Sequence, residues 1–358
     1  MRVLQLIDSL QAGGAERVAV NYANALLPHV EKSFLCATRQ EGPLLTVVDS
    51  QVGYLFLNRK KTIDRRAFLK LRRFIKENEI DIIQAHGNSF FIGALQKMLL
   101  PAVVLIWHNH SFKSQTLNTT KHLALHICSS YFDFIFSVNE DVRQWAESNL
   151  KHKCVYYIKN FVVPQSKNDV YENDFEGVKG KRIVCVANLR PVKNHGLLLD
   201  AFTKVLADEP EATLHLFGSQ CNDIYAQSIL QIIKADLPQV YYHGTHPAIT
   251  EILPYFDLGV LSSDSEGLPL ALLEYGQAAL PVVVTNVGQC REVLSGHGQS
   301  VEAGDGTGLA KAMGAYLKNP SQAEKSGRAF QRHILDNYGG DAILSRVLKI
   351  YEQTSQRK

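Results

Sequence analysis

What this 358-residue chain lacks narrows its function before any motif is read. Its six cysteines, at positions 36, 128, 154, 185, 221 and 290, never form a C-x-x-C pair. That scatter fits the reduced thiols of a cytosolic protein and argues against a disulfide framework or a cysteine-ligated zinc. Long apolar runs are missing too. The longest, MLLPAVVLIW (98–107), is interrupted by Pro101 and is too short to span a bilayer. At the N-terminus Asp8 arrives too early for a secretory leader, so RVLQLIDS reads as a strand. There is no G-x-G-x-x-G, which removes the dinucleotide fingerprint, and no H-E-x-x-H zinc motif. Without a D-x-D pair, nothing in the sequence marks a Mg²⁺–diphosphate site.

What is present is the composition of a soluble globular protein: 46% hydrophobic, 20% charged, net charge +3. The length favours two domains. Charge divides unevenly, since residues 1–164 hold 20 Lys/Arg against 13 Asp/Glu and the remainder 18 against 22. The resulting +7 and −4 point to different partners for the two halves. Short β-branched runs (RVLQLIDS, DIIQAHG, AVVLIWHN, DFIFSVN) alternate with amphipathic helical stretches. The pattern lapses around PQSKNDVYENDFEGVKGKR and restarts at RIVCVANL. Alternation of this kind means βαβ units and parallel sheets. The expected fold is therefore α/β, with two facing Rossmann-like doubly wound domains. The predicted boundaries are 1–164 and 182–336, with a linker at 165–181 and a terminal helix, 337–358, packing back on the first domain. Ligands collect at the carboxyl ends of strands in such sheets, so the loops after strands carry the candidate chemistry.

The first candidate is SEGLPLALLEYGQ (265–277). From Gly267 to Cys290 the only charged side chain is Glu274, and a lone buried carboxylate is costly unless something meets it. That partner is either a protein cation or a ligand hydroxyl. Pro269 suits a helix's first turn, which leaves Glu266 in the loop before it and the N–H groups of Gly267, Leu268 and Leu270 free for an anion. NLRPVKNH (188–195) follows a strand and offers Arg190 and Lys193 to phosphate. In QAGGAE (11–16), Gly13 and Gly14 allow close backbone approach at a helix start, or simply make a tight turn. His86, His108 and His110 end neighbouring strands and suggest a polar pocket, with zinc a weaker option. Finally, RKKTIDRRAFLKLRRFIK (59–76) holds nine basic residues and one acid around an apolar stripe of Ile63, Phe68, Leu71, Phe74 and Ile75. It reads as a basic amphipathic helix, either lying on an anionic membrane or covering the domain's own core. Nucleic acid is a poorer partner, because aromatic interleaving and a known motif are missing.

Taken together, these residues resemble glycosyltransferase family 4, the retaining, nucleotide-sugar-dependent enzymes of GT-B architecture. The most specific part is SSDSEGLPLALLEYGQAALPVVVTNVGQCREVL, which is similar to the family's Glu-x7-Glu signature with a trailing Gly288 and Glu292. GGAER and HNHS resemble its N-terminal loop and acceptor-side histidine region, and KNF (159–161) resembles its Asn-Gly pair, with Phe161 in place of Gly. The resemblance implies a hexosyltransferase of bacterial polysaccharide assembly. It places Glu266 against the donor sugar, Glu274 against the ribose, Lys193 on the diphosphate, Gly14 near the phosphates and His108 near the reacting carbon. His86 and His110 become acceptor-side candidates, and Gly267 and Leu268 donor-side ones. It also implies a UDP- or GDP-linked donor, no metal or other cofactor, and a glycan or polyprenyl-diphosphate-linked acceptor at the inner face of the cytoplasmic membrane. Besides Phe161, three positions depart from the family pattern. Asn188 stands where Arg is usual, with Arg190 placed to take over part of its role, and Ala279 and Ser219 stand where Gly is usual. A sugar-nucleotide 2-epimerase on the same plan and a non-catalytic partner in a glycan-assembly complex are the alternatives.

Overall fold

The computed structural model describes residues 1–110, 119–151, 154–163, 175–220 and 223–355. The chain forms two compact units, Met1–Val163 with Gly340–Lys358, and Pro164–Gly339. Most of the linker stretch at 165–181 and the tail of the loop after His110 lie outside the described residues.

Unit 1 contains seven strands: β1 (Arg2–Ser9), β2 (Lys32–Gln40), β3 (Gly53–Phe56), β4 (Ile82–His86), β5 (Val104–Asn109), β6 (Phe134–Ser137) and β7 (Val155–Tyr157). They make one sheet in the order β3-β2-β1-β4-β5-β6-β7, and every described pairing is parallel. Alternate residues of β2 feed different cores. Phe34 and Cys36 join one cluster, while Leu35 and Ala37 join the other. Both faces are thus covered, which explains why the strands read as apolar runs rather than alternating ones. Unit 2 repeats the plan with β8 (Arg182–Val186), β9 (Thr213–Phe217), β10 (Val240–Gly244), β11 (Leu258–Leu261), β12 (Val282–Thr285) and β13 (Gln299–Val301). The order is β10-β9-β8-β11-β12-β13, again parallel.

In each sheet the strand order reverses at one place, between β1 and β4 in unit 1 and between β8 and β11 in unit 2. Such switch points open a crevice at the strands' carboxyl ends. The segments that leave those ends are QAGG after β1, His86 closing β4, NLRPVK after β8 and SSDSEG after β11. Every stretch singled out for chemistry, apart from the basic helix and the β5 histidines, sits on a switch point.

The basic stretch is a helix over Arg65–Glu77, capped by the Asp64 side chain accepting from Ala67 N at 3.1 Å. Its stripe serves the protein's own core, with Ala67, Leu71 and Ile75 buried and Phe74 packed beside them. Only Ile63 and Leu69 of its apolar residues stay well exposed. Arg59 does not belong to the basic surface. Its guanidinium is buried and donates to Asp8 Oδ1 at 2.9 Å. Charge had grouped it with its neighbours in sequence, but the carboxylate at the end of β1 draws it inside. The five described cysteines, 36, 128, 154, 185 and 290, are free thiols.

Ala279 shows what one family departure costs. It follows the helix Leu270–Gln277 with φ +59°, the left-handed conformation that ends helices and favours glycine. Its carbonyl packs so tightly on the helix Pro320–Tyr338 that a Cβ at Gly327 would lie 2.0 Å from it. Ala279→Gly is therefore expected to stabilise unit 2 by about 1 kcal/mol, since a Cβ in this region costs about 1–2 kcal/mol. A urea titration in which the variant unfolds at an equal or lower midpoint would contradict this.

Candidate functional site

In unit 2 the site is assembled by three loops that hold one another. After β8 the chain makes a single 3₁₀ turn, Pro191–Lys193, and Asn194 then turns left-handed (φ +47°). The Asn194 side chain caps the next helix at Leu197 N, 3.2 Å, while its amide donates to Asp264 Oδ1 at 2.8 Å. Ser262 Oγ donates to the carbonyls of Lys193 (3.0 Å) and Asn194 (3.1 Å), and Asp264 N donates to Val192 O at 2.9 Å. The loops after β8 and β11 are thereby one rigid surface. The loop after β12 closes on it. Gln289 N donates to Gly267 O at 3.0 Å, and a Cβ at Gly288 (φ +53°) would stand 2.0 Å from Glu266 O. Only glycine fits there.

On this surface Lys193 Nζ lies 2.6 Å from Glu266 Oε1, and Ser263 Oγ donates to the same oxygen at 2.6 Å. The Glu266 side chain is only 7% exposed and that of Lys193 24%. A carboxylate this enclosed needs its cation, and the pair stands where the sheet switches direction. Pro269 is the N-cap of the helix Leu270–Gln277 rather than its first residue, and no side chain caps that end. Its N-terminal N–H groups are left for another acceptor. Glu274 lies in the second turn and is buried, at 4% exposure. Arg190 is exposed at the start of its turn. Asn188 ties the loop to its neighbour, its Oδ1 accepting from Ser219 N at 2.8 Å.

One residue of this site was not singled out by the sequence. Tyr275 is fully buried beneath the switch point, where its hydroxyl accepts from Val186 N at 2.6 Å, and Gly259 of β11 makes room for its ring. It holds the end of β8 against β11, so it positions the Lys193 loop without facing solvent. Adjacency to Glu274 was the only hint.

In unit 1, Gly14 opens the helix Gly14–Ala25, and nothing lies within 4 Å of where its Cβ would be. At Gly13 the Glu16 carboxylate occupies that space, folded over the helix start. The histidines come together because β4 and β5 pair in register, with His86 opposite His108. The proton positions follow from which atoms can only accept. Gln5 Oε1 lies 2.7 Å from His86 Nε2, so that nitrogen carries hydrogen, and His86 Nδ1 accepts from His110 Nε2 at 2.8 Å. Tyr351 Oη donates to Gln84 Oε1, turning the Gln84 amide so that Nε2 donates to His108 Nδ1 at 2.9 Å. His108 Nε2 is therefore a donor, fully enclosed, and it meets no acceptor among the described residues. Burial holds His86 and His108 well below the usual imidazole range, His110 adding to the effect. Burial takes His110 itself down to about 3. All three are neutral. They also form a nitrogen set that could hold an ion, but both nitrogens of His86 are already used. The sequence offered His86 as an acceptor contact; in the fold its ring is sealed and orients His110.

Tyr351 stands in the helix Gly340–Ser355, 267 residues from Gln84. Tyr351→Phe should destabilise unit 1 by about 1–3 kcal/mol by taking away a buried acceptor's donor. It should also free the Gln84 amide to turn, moving the His108 proton to Nδ1. Urea unfolding and imidazole ¹⁵N shifts read the two effects, and unchanged values in both would refute the relay.

The comparisons with known proteins give the family and the fold. The model for Glycosyltransferase Family 4 matches residues 12–166 and that for Glycosyl transferases group 1 matches residues 180–319. The O-antigen biosynthesis glycosyltransferase WbnH of Escherichia coli is 26% identical, over 93% of this chain and 95% of its own. An E. coli UDP-Gal:α-D-GlcNAc-diphosphoundecaprenol α-1,3-galactosyltransferase is 25% identical over 76% of each chain. Among solved structures, Anabaena HepE in complex with UDP and glucose shares the fold, with TM-score 0.80 and 15% identity over 99% of this chain and all of the other. With one family model on each half and two parallel switch-point sheets, the chain belongs to the family 4 glycosyltransferases of the GT-B fold class.

Proposed function

We propose that the protein transfers a hexose, with retention at the anomeric carbon, from a UDP-linked donor to a lipid-diphosphate-linked glycan during surface-polysaccharide synthesis. The observation that carries this is the Lys193–Glu266 pair, 2.6 Å apart on the switch point of unit 2. An ammonium has three N–H groups, so Lys193 can keep Glu266 in place and still meet a diphosphate oxygen. Glu266 then offers its second oxygen to the sugar hydroxyls, and buried Glu274 meets the ribose. Arg190 and the N-terminal end of the helix Leu270–Gln277, which no side chain caps, add positive potential where the leaving diphosphate gains charge. No metal takes part in this scheme. In unit 1, His108 Nε2–H is a neutral donor that is enclosed in the ligand-free protein, so it serves a sugar or acceptor oxygen only when the groups covering it move aside. HepE, which binds UDP and glucose, and the galactosyltransferase, whose acceptor is a diphosphoundecaprenol-linked sugar, support the donor and acceptor classes.

The test is a panel of UDP- and GDP-sugars incubated with the protein, with and without a polyprenyl-diphosphate-linked monosaccharide. Transfer that requires the acceptor and gives product of the donor's own anomeric configuration by NMR is expected. Inverted product, or nucleotide-sugar conversion without acceptor, would overturn the reading. We further propose that the exposed basic face of Arg65–Glu77 rests on anionic lipid at the inner face of the cytoplasmic membrane. Its apolar stripe is spent on the core, so charge dominates the contact and binding should vanish as salt rises. Failure to sediment with anionic liposomes at low salt would rule this out. Among the described residues no helix is long and apolar enough to cross a membrane.

A further inference from the structure

The basic run of unit 1 has two parts, and the loop ahead of the helix, residues 58–64, is built differently from the helix itself. It leaves the carboxyl end of β3, where Asn58 turns left-handed (φ +52°). Arg59 N donates to Thr38 O at 2.7 Å, which prolongs the pairing with β2 past the end of β3. The Arg59 guanidinium then turns inward. Its Nη2 donates to Asp8 Oδ1 at 2.9 Å and to Thr38 Oγ1 at 3.4 Å, and its Nη1 to Thr62 O at 3.2 Å. One buried side chain thus ties the loop to the sheet and to its own far side. Lys60, Lys61 and Ile63 are left outside, Ile63 at 76% exposure.

A second arginine reaches the same carboxylate. β1 and β2 pair in step up to Ile7 opposite Ala37, but Ser9 then stands opposite Gln40, so β2 carries one residue more than β1 here. A bulge of this kind re-aims side chains. Thr38 Oγ1 donates to Asp8 Oδ1 at 2.5 Å, and Arg39 Nε lies 3.4 Å from Asp8 Oδ2. Two guanidinium groups share one carboxylate, which leaves positive charge in excess at this corner. Arg59 is enclosed, but the Arg39 side chain is 35% exposed. Its terminal nitrogens, like the ammonium groups of Lys60 and Lys61, have no partner among the described residues. The acids beside them are engaged elsewhere. Asp64 accepts from Ala67 N at 3.1 Å and Lys60 N at 3.2 Å, and Glu41 accepts from Tyr54 Oη at 3.1 Å.

Three unpaired cations beside one exposed isoleucine fit an anion that carries an apolar tail. We propose, resting on the acceptor class read above, that Arg39, Lys60 and Lys61 bind the diphosphate of the lipid-linked acceptor and that Ile63 meets the first units of its lipid. The Arg39 fork and the two ammonium groups suit phosphate oxygens. Arg59 is a positioning residue, since it holds the loop against Asp8 without facing solvent. Neighbouring strands lie about 4.8 Å apart, so β3 stands about 10 Å from β1 and the crevice beside it. A diphosphate held at the loop therefore presents its sugar towards that crevice. The loop also leads directly into the helix Arg65–Glu77, so the surface that grips the acceptor adjoins the one that rests on lipid.

The test is calorimetric titration of the full chain with farnesyl diphosphate in detergent-free buffer. Farnesyl diphosphate should bind, inorganic diphosphate should bind more weakly, and farnesol should not bind. Arg39→Gln and the double variant Lys60→Gln/Lys61→Gln alter exposed side chains, and circular dichroism checks that each folds. Each should weaken farnesyl diphosphate by about tenfold or more, as loss of a charge-assisted contact does. Ile63→Ser should weaken it by about 3–10-fold and leave inorganic diphosphate unchanged. Arg73→Gln/Lys76→Gln, which removes as much charge from the helix, and Lys193→Ala should both bind as the wild type does. Absence of binding, binding unchanged in Arg39→Gln or in the double lysine variant, or binding lost in Lys193→Ala would each overturn the assignment. So would attachment to phosphatidylglycerol vesicles without any affinity for farnesyl diphosphate, which would give the loop to the bilayer surface. A chain that binds in the expected way yet transfers no sugar keeps this site and removes the transfer reading, and transfer without such binding does the reverse.

Discussion

Lys193→Ala is expected to lower kcat by about 10²–10³, the usual cost of removing one pre-organised group that meets charge developing in a transition state. The argument starts from position. Lys193 ends a turn that Asn194 and Ser262 anchor, so its ammonium is held at the carboxyl end of β8 by contacts its own side chain does not make. Little of its binding energy goes into ordering a flexible loop. A diphosphate arriving there meets a cation already in place, and the positive charge counts most when the bond to the sugar breaks. The effect should therefore fall on kcat more than on KM.

A second consequence of the same substitution separates chemistry from folding. Without Lys193, Glu266 Oε1 keeps Ser263 but loses its cation, at a side chain only 7% exposed. That should cost about 1–3 kcal/mol of stability. Glu266→Gln leaves a neutral amide beside Lys193 and should unfold closer to the wild type, yet lose activity through the sugar contact. If Lys193→Ala lowers stability while kcat stays unchanged, the pair is a structural salt bridge and the lysine leaves the site.

The sequence made the frame of this site readable because the frame obeys local rules. Strand and helix periods gave the two doubly wound units, and the spacing of Glu266 and Glu274 placed one carboxylate before a helix and the other inside it. Asn188 and Ala279 stood out only against the family pattern. Ala279 then proved to be a backbone problem, with a Cβ in the left-handed region. What the sequence hid was long-range pairing. Nothing in the spacing links Tyr351 to Gln84 or Glu176 to His243, and Arg59 sat in a run of solvated cations although its partner was Asp8 of β1. Periodicity reports which face is buried. It does not report which polar group on that face meets which other, because that depends on strand order.

Acid should unfold the protein through its histidines, and this is the largest stability effect expected. His86, His108 and His195 have no exposed surface. Burial depresses all three, His195 to about 4 and the other two well below the usual imidazole range. In the unfolded chain each returns to about 6.5. Above that pH both states hold the imidazole neutral and the groups are silent. Below it the unfolded chain takes up protons the native state refuses, so stability is lost as pH falls, by up to about 1.4 kcal/mol per pH unit for each histidine. His110 in unit 1 and His215 in unit 2, each held down to about 3, add to the same loss, so both units weaken, and stabilities of about 5–15 kcal/mol leave little reserve by pH 5. Urea midpoints at pH 7.5, 6.5 and 5.5 should be level over the first step and fall over the second. A midpoint that held steady to pH 5.5 would mean that water or a counter-charge reaches these rings. Because His108 stays neutral throughout, the acid limb of the transfer rate should follow the loss of folded protein, and kcat per folded molecule should show no imidazole titration. A donor whose proton order is set by Gln84 and Tyr351 keeps its hydrogen on Nε2 at any pH the fold survives.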